Sequence, residues 1–69
     1  QVLRSNGQIM SCRVLDISLT GANFECRGVA LPKIGEIVSA GTIPAEVIRI
    51  GDGGFAVRYL QKDERDSLL

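Results

Sequence analysis

The chain has 69 residues, of which 45% are hydrophobic and 23% charged, and its eight basic residues balance its eight acidic ones. This length allows one small domain, and this composition is typical of a globular chain rather than a disordered one. A protein that binds a nucleic-acid polymer needs an excess of Lys and Arg, so neutrality argues against that partner but leaves room for a small anionic nucleotide. The chain contains no histidine, which excludes histidine general bases and serine-protease triads within it.

The chain has two cysteines, Cys12 and Cys26, and no second pair that would complete a zinc site. We interpret them as buried, unpaired thiols in a reducing compartment, the cytoplasm, with a disulfide as the alternative. No apolar run approaches the roughly 20 residues that span a bilayer, so we expect no membrane insertion. Because strand-like sequence starts directly at Gln1, we interpret residues 1–69 as a single domain truncated within its first strand.

The first predicted element is a β-hairpin, because Asn6-Gly7 lies between apolar segments at residues 2–4 and 9–10. Its second arm continues towards Asp16 with conflicting alternation. The apolar side chains occupy the even-numbered positions Met10, Cys12 and Val14, and then the odd-numbered positions Leu15, Ile17 and Leu19. The conflict predicts either a β-bulge near Val14 or Leu15, which would re-aim Asp16, or a strand with both faces partly buried.

The remaining predicted strands cover residues 22–26, 36–40, 43–50 and 55–60. The first should point Ala22, Phe24 and Cys26 inward, and the last should point Phe55, Val57 and Tyr59 to one face and Arg58 to the other. Gly41-Thr42 and the Gly51-Asp52-Gly53-Gly54 segment predict turns, and Pro44, lacking an N–H, should lie at a strand start or an edge. Residues 61–69 lose β-branched side chains and predict a short helix. Five or six short strands with one helix favour a small antiparallel barrel.

The candidate functional motif is Asp16-Ile17-Ser18-Leu19-Thr20-Gly21-Ala22, where a strand passes into a turn. Alternation directs Asp16 and Ser18 outward and leaves Leu15 and Ile17 on a face that can be buried. We expect Gly21 to permit a positive φ or the close approach of a ligand. A carboxylate accepts two parallel N–H bonds, which suits the edge of a guanine base. In the alternative interpretation, these residues only build a turn.

This order of features resembles the PilZ domain, a bacterial receptor module for cyclic di-GMP. Residues 16–21 match the family's Asp/Asn-x-Ser/Ala-x-x-Gly motif at all three fixed positions, and Ile34-Gly35-Glu36 with the strands at 45–50 and 54–59 support the match. The resemblance implies an all-β fold, a small six-stranded antiparallel PilZ-type β-barrel with a short C-terminal α-helix. It also implies that Asp16 accepts guanine N–H groups, that Ser18 adds a hydroxyl contact and that Gly21 permits close approach, with no catalytic residue, cofactor or metal.

The chain departs from the family in its arginines. The family's Arg-x-x-x-Arg motif holds phosphates, and no two arginines here have that spacing, so we expect it upstream of Gln1 or missing from the parent. Arg13 could contact phosphate or be a solvated strand-end residue. The resemblance implies a receptor module that relays cyclic di-GMP to a partner protein or adjoining effector domain. The alternative is a degenerate PilZ-like barrel that binds protein rather than nucleotide.

Overall fold

A computed structural model describes residues 1–61, in which all strands belong to one antiparallel sheet. The strands are β1 (Val2–Leu3), β2 (Ile9–Met10), β3 (Arg13–Ile17), β4 (Gly21–Glu25), β5 (Ile37–Ala40), β6 (Ile43–Gly51) and β7 (Gly54–Tyr59). Their order is β2-β1-β5-β6-β7-β4-β3, and the sheet curls into a half-barrel. The predicted all-β antiparallel fold is confirmed, but the sheet has seven strands rather than six, because the second arm of the first hairpin is interrupted at Ser11 and Cys12 and forms two strands, β2 and β3. The helix expected over residues 61–69 lies outside the described residues, which end at Gln61.

The core lies on the concave face of the sheet, where alternate residues of the central strands point inward. The rings of Phe24 and Phe55 meet there at a centroid distance of 5.4 Å. The inward positions predicted for residues 22–26 are confirmed, since Ala22, Phe24 and Cys26 are all buried. The buried cluster consists of Val2, Met10, Ala22, Phe24, Cys26, Val38, Ala45, Val47, Phe55 and Val57.

The predicted turns are also confirmed. The Asn6 side-chain oxygen accepts a hydrogen bond from the Gln8 backbone N–H at 2.9 Å, and Gly7 has a φ of 90°. Pro44 is the second residue of β6 and its carbonyl accepts the Leu60 N–H at 3.0 Å. Proline has no N–H to donate to the hydrogen-bond ladder, and near the start of a strand this lack does not interrupt the ladder in the interior of the sheet.

The two cysteines correct an expectation, because they form a disulfide rather than remaining as free thiols. The register of the β3–β4 hairpin explains the pairing. Arg13 lies opposite Glu25, so the next positions along the two arms are Cys12 and Cys26. Their Cα atoms are 4.7 Å apart, within the roughly 4.4–6.8 Å that a disulfide requires. The bond therefore ties the base of the hairpin that carries the candidate motif.

Strand β3 confirms one expectation and corrects another. Its register with β4 shifts between Val14 and Asp16, which is the predicted bulge. The expected burial is wrong, because β3 lies at the edge of the sheet and contacts only β4 as a neighbouring strand. Leu15 and Ile17 consequently remain 55% and 65% exposed. Neither face of this strand is buried, so the alternative of a strand with two partly buried faces is also wrong.

Candidate functional site

The convex face of the sheet carries a row of four residues, one on each of four adjacent strands. Asp16 on β3 lies opposite Asn23 on β4, Asn23 lies opposite Ala56 on β7, and Ala56 lies opposite Arg49 on β6. Directly opposed residues of antiparallel strands point to the same face. We call these four residues the cross-strand row. It brings a carboxylate, an amide and a guanidinium together on a surface that faces away from the core.

Two bulges create this row. Without the shift between Val14 and Asp16, the carboxylate would take a position whose neighbours point towards the core. A second shift lies between Val47 and Arg49 in β6, and it moves Arg49 from the inward parity of Val47 to the convex face. Bulges re-aim side chains in this way and are frequent beside functional sites. The sheet thus departs from regular pairing at both strands that contribute the charged ends of the row.

Arg49 lies across the row and is held there by Asn23. One of its terminal nitrogens donates a hydrogen bond to Asn23 Oδ1 at 2.8 Å. Ala56 separates these two residues in the register, and it is only 6% exposed although it lies outside the core cluster. The side chains of its two neighbours therefore cover it. This arrangement gives the convex face a polar surface on which a guanidinium is hydrogen-bonded to an amide.

Asp16 and Ser18 both lie exposed beside this surface. The Asp16 side chain makes no hydrogen bond or ion pair with another residue of the described range 1–61, so its carboxylate oxygens face solvent. Ser18 is engaged in its own turn. Its hydroxyl contacts Thr20 Oγ1 and the Gly21 carbonyl, each at 3.3 Å, and accepts the Thr20 backbone N–H at 3.3 Å. These long contacts leave a hydroxyl that is oriented by the turn and still accessible.

Gly21 corrects a further expectation, because its φ is not in the left-handed region. The glycine is instead required by the contact between two strands. A Cβ at this position would overlap the carbonyl oxygen of Val57 on β7 and lie 3.2 Å from its carbon. Gly21 lies opposite Arg58, and both residues line the larger of two depressions on the convex face.

These residues line a shallow depression of about 580 Å³ on the convex face, within the range typical of small-ligand sites. A smaller depression of about 280 Å³ adjoins it and shares Asp16, Asn23 and Arg49. We call the two depressions together the groove. The residues of the larger depression that can contact a ligand through polar atoms include Asp16, Ser18, Asn23, Arg49 and Arg58. Asp16, Ser18 and Gly21, the residues predicted from the motif, are therefore brought together.

Arg13, in contrast, lies opposite Glu25 at the base of the hairpin and lines neither depression. Its interpretation as a solvated strand-end residue is the one that the structure favours. Asn23, Arg49 and Arg58 also line the groove, although the sequence motif does not point to them. Arg58 pairs with Glu46 at 3.0 Å. The second bulge does have a signal in the sequence of β6. Ala45 and Val47 alternate on one side of the strand, but the apolar side chains that follow lie at positions that regular alternation would place on the other side.

An ion pair outside the groove fixes the loop before β5. The Arg4 guanidinium donates from two nitrogens to the two carboxylate oxygens of Glu36, each at 3.0 Å. These bonds, together with the Lys33 backbone N–H, lower the pKa of Glu36 to about 2. The side-chain hydrogen bond to Glu36, and then the opposite charge of that carboxylate, raise the pKa of Arg4. The charges of this pair offset each other, so the pair stabilises the scaffold without adding net charge to it.

Within residues 1–61 no group of three or more His, Cys, Asp or Glu side chains is placed to hold a metal ion. No helix in that part of the chain has the length and apolar character to cross a membrane. The fold and the groove define a small β-sheet module with an open depression on its surface rather than a closed cavity.

The comparison with protein families assigns the module. The PilZ domain model matches residues 1–69, and the chain belongs to that family. No curated protein and no solved structure gives a match. The resemblance found in the sequence is thereby confirmed, and PilZ domains are generally non-catalytic binding modules whose ligand is cyclic di-GMP.

Proposed function

We propose that this domain is a non-catalytic receptor for cyclic di-GMP that binds the dinucleotide in the groove through Asp16, Ser18 and Gly21. The observation that carries the proposal is the exposed Asp16 carboxylate, which no other described side chain engages. Guanine presents two parallel N–H donors on one edge, and a carboxylate accepts such a pair with charge-assisted hydrogen bonds. Membership of the PilZ family supports the choice of ligand.

The other two motif residues have complementary roles in this proposal. The Ser18 hydroxyl, oriented by its turn, adds one polar contact beside the carboxylate. Gly21 leaves the surface open between the turn and Arg58, so that a flat base can lie against the sheet. Binding would then be relayed to a partner protein or an adjoining effector domain. The cytoplasm is the proposed compartment because the ligand is an intracellular second messenger; the disulfide removes the separate argument from reduced thiols.

Calorimetric titration with cyclic di-GMP tests the proposal when wild type is compared with Asp16→Asn. The amide keeps the shape of the side chain but cannot accept two N–H bonds with a negative charge. Charged hydrogen bonds contribute about 1.5–3 kcal/mol, so affinity should fall about ten- to hundredfold. Glu25→Gln is the matched control, because Glu25 pairs with Arg27 and lines neither depression. A wild-type protein without any binding heat would end the proposal.

A protein-binding role is the second candidate, and one observation favours it. The edge strand and its turn expose apolar side chains beside one another: Val14 at 51%, Leu15 at 55%, Ile17 at 65% and Leu19 at 99%. Exposed apolar patches of this kind mark interaction surfaces. A degenerate barrel that binds a protein through this edge would show no response to cyclic di-GMP, and Asp16→Asn would leave its partner binding unchanged.

A further inference from the structure

We propose that Arg49 is a ligand-binding residue of the groove, whose guanidinium contacts a phosphate oxygen of the bound cyclic dinucleotide, and that Asn23 is its positioning residue. This inference rests on the proposed function and assigns the cation that the function needs. No pair of arginines in residues 1–69 has the Arg-x-x-x-Arg spacing, so the motif does not supply one from within this sequence.

The position of Arg49 favours contact with the ligand. Arg49 and Asp16 occupy opposite ends of the cross-strand row and line both depressions of the groove. Neighbouring strands lie about 4.8 Å apart, so three steps place the two backbones about 14 Å apart. Their side chains extend over the row from opposite ends. A nucleotide whose base edge meets the carboxylate can extend its sugar and phosphate along the row to reach the guanidinium.

Most N–H donors of the Arg49 guanidinium are not used by the described residues. A guanidinium has five N–H donors in a planar fork that fits two phosphate oxygens. Within the described residues, Arg49 donates only to Asn23 Oδ1. The rest of the fork therefore remains available to a ligand, and the Asn23 contact limits the conformations that the side chain must give up on binding.

Arg49 differs from the other arginines near the groove in the charge of its hydrogen-bond partner. Arg58 already pairs with the Glu46 carboxylate at 3.0 Å, so its charge is offset where it lies. Arg27 pairs with Glu25 and lines neither depression. Arg49 contacts a neutral amide instead, which leaves its full charge directed to the groove. The bulge in β6 is the feature that places this charge on the convex face.

The test is calorimetric titration with cyclic di-GMP at low and at high salt, on wild type, Arg49→Gln, Arg49→Lys and Arg27→Gln. Arg49→Gln should weaken binding about ten- to hundredfold, because a charged hydrogen-bonding contact is lost. It should also reduce the dependence of affinity on salt, a change that a merely structural role for Arg49 would not produce. Arg49→Lys should bind between the two, since it keeps the charge but not the fork.

Arg27→Gln is the matched control and should bind like wild type, because the Arg27 side chain is 82% exposed and its ion pair lies outside the groove. Asn23→Ala should weaken binding less than Arg49→Gln does. Thermal unfolding of each variant reports whether the fold is kept. If Arg49→Gln does not fold, Arg49→Lys decides, and wild-type affinity in that variant overturns the proposal.

The design separates the failure of this inference from failure of the proposed function. If wild type binds, Asp16→Asn binds weakly and Arg49→Gln binds like Arg27→Gln, then Arg49 is not a ligand contact and the receptor function stands. If wild type shows no binding heat at either salt concentration, both proposals are wrong. Weak binding by both Asp16→Asn and Arg49→Gln, with reduced salt dependence only in the latter, supports both.

Discussion

Replacing Gly21 by alanine should destabilise the sheet far more than one added methyl group suggests. The new Cβ would overlap the Val57 carbonyl oxygen and lie 3.4 Å from the Arg58 Cα. Both neighbours are backbone atoms of the paired strand, so no side-chain rotation can relieve the overlap. Strands β4 and β7 would have to move apart, which weakens the ladder of hydrogen bonds between them.

The expected loss of stability is the sum of two free-energy costs. Overpacking in a tight site costs about 1–3 kcal/mol, and weakening one or two ladder hydrogen bonds adds about 1 kcal/mol each. A domain of this size has a total stability of roughly 3–10 kcal/mol. A loss of about 3 kcal/mol would lower the unfolding temperature by roughly 12–24 °C. The Gly21→Ala variant should therefore be marginally folded at best.

Two other glycines of the sheet provide matched controls. Gly54 on β7 has the same kind of clash, with the Phe24 carbonyl, although it lies outside the motif. Gly51 on β6 has an unstrained φ and open space around it. We expect Gly54→Ala to be about as destabilised as Gly21→Ala, and Gly51→Ala to change stability by less than about 1 kcal/mol.

The assay is equilibrium urea unfolding followed by circular dichroism, with cyclic di-GMP affinity measured on each folded variant. If Gly21→Ala is as stable as Gly51→Ala, the explanation by strand packing is wrong. If it is also stable but loses affinity, Gly21 serves the approach of the ligand and not the contact between strands.

Three further predictions concern the hairpin and the scaffold. Replacing Cys12 and Cys26 by serine, or reducing the disulfide, should lower the free energy of unfolding by about 3 kcal/mol, the value expected for a closed loop of about 15 residues. Urea unfolding with and without reductant measures this loss, and an unchanged midpoint would contradict the pairing. The folded-state pKa of Glu36 is lowered to about 2 from 4.5, so its contribution to the free energy of unfolding is present above about pH 4.5 and is lost as the pH falls towards 2. Glu36→Gln should remove that part of the pH dependence, about 1 kcal/mol after solvent screening. Acid unfolding curves of the two proteins measure the difference. Deleting Leu15 should remove the bulge without moving Asp16, because Asp16 then follows Val14 directly in a regular ladder and stays opposite Asn23. The deletion variant should keep wild-type affinity for cyclic di-GMP, and a variant that folds but loses binding would contradict the assigned geometry.

The sequence predicted those features that depend on local patterns. Alternation identified the inward residues of β4, such as Phe24, because a two-residue period follows directly from strand geometry. The parity conflict around Leu15 predicted the bulge for the same reason, and so predicted that Asp16 is re-aimed. Asn6-Gly7 predicted its turn because few residue pairs accept the backbone angles of a tight hairpin.

Other features depend on which strands become neighbours, and local patterns do not contain that information. Ile17 was expected to be buried, but strand order places β3 at the edge. The pairing of Cys12 with Cys26 required the hairpin register. The positive φ expected for Gly21 is absent, and the close contact with β7 was not foreseen. Arg49 was overlooked because regular alternation along β6 would point it inward, and only the register shift brings it to Asn23.

The most direct test of the account is an NMR titration of isotope-labelled protein with cyclic di-GMP, followed through the backbone amides. The account predicts that the largest shift changes lie on the cross-strand row and its adjoining turn, at Asp16, Ser18, Asn23 and Arg49. Changes confined to the opposite end of the sheet, around Val2 and Met10, or no change at saturating ligand, would contradict the claim that the groove on the convex face is the receptor site.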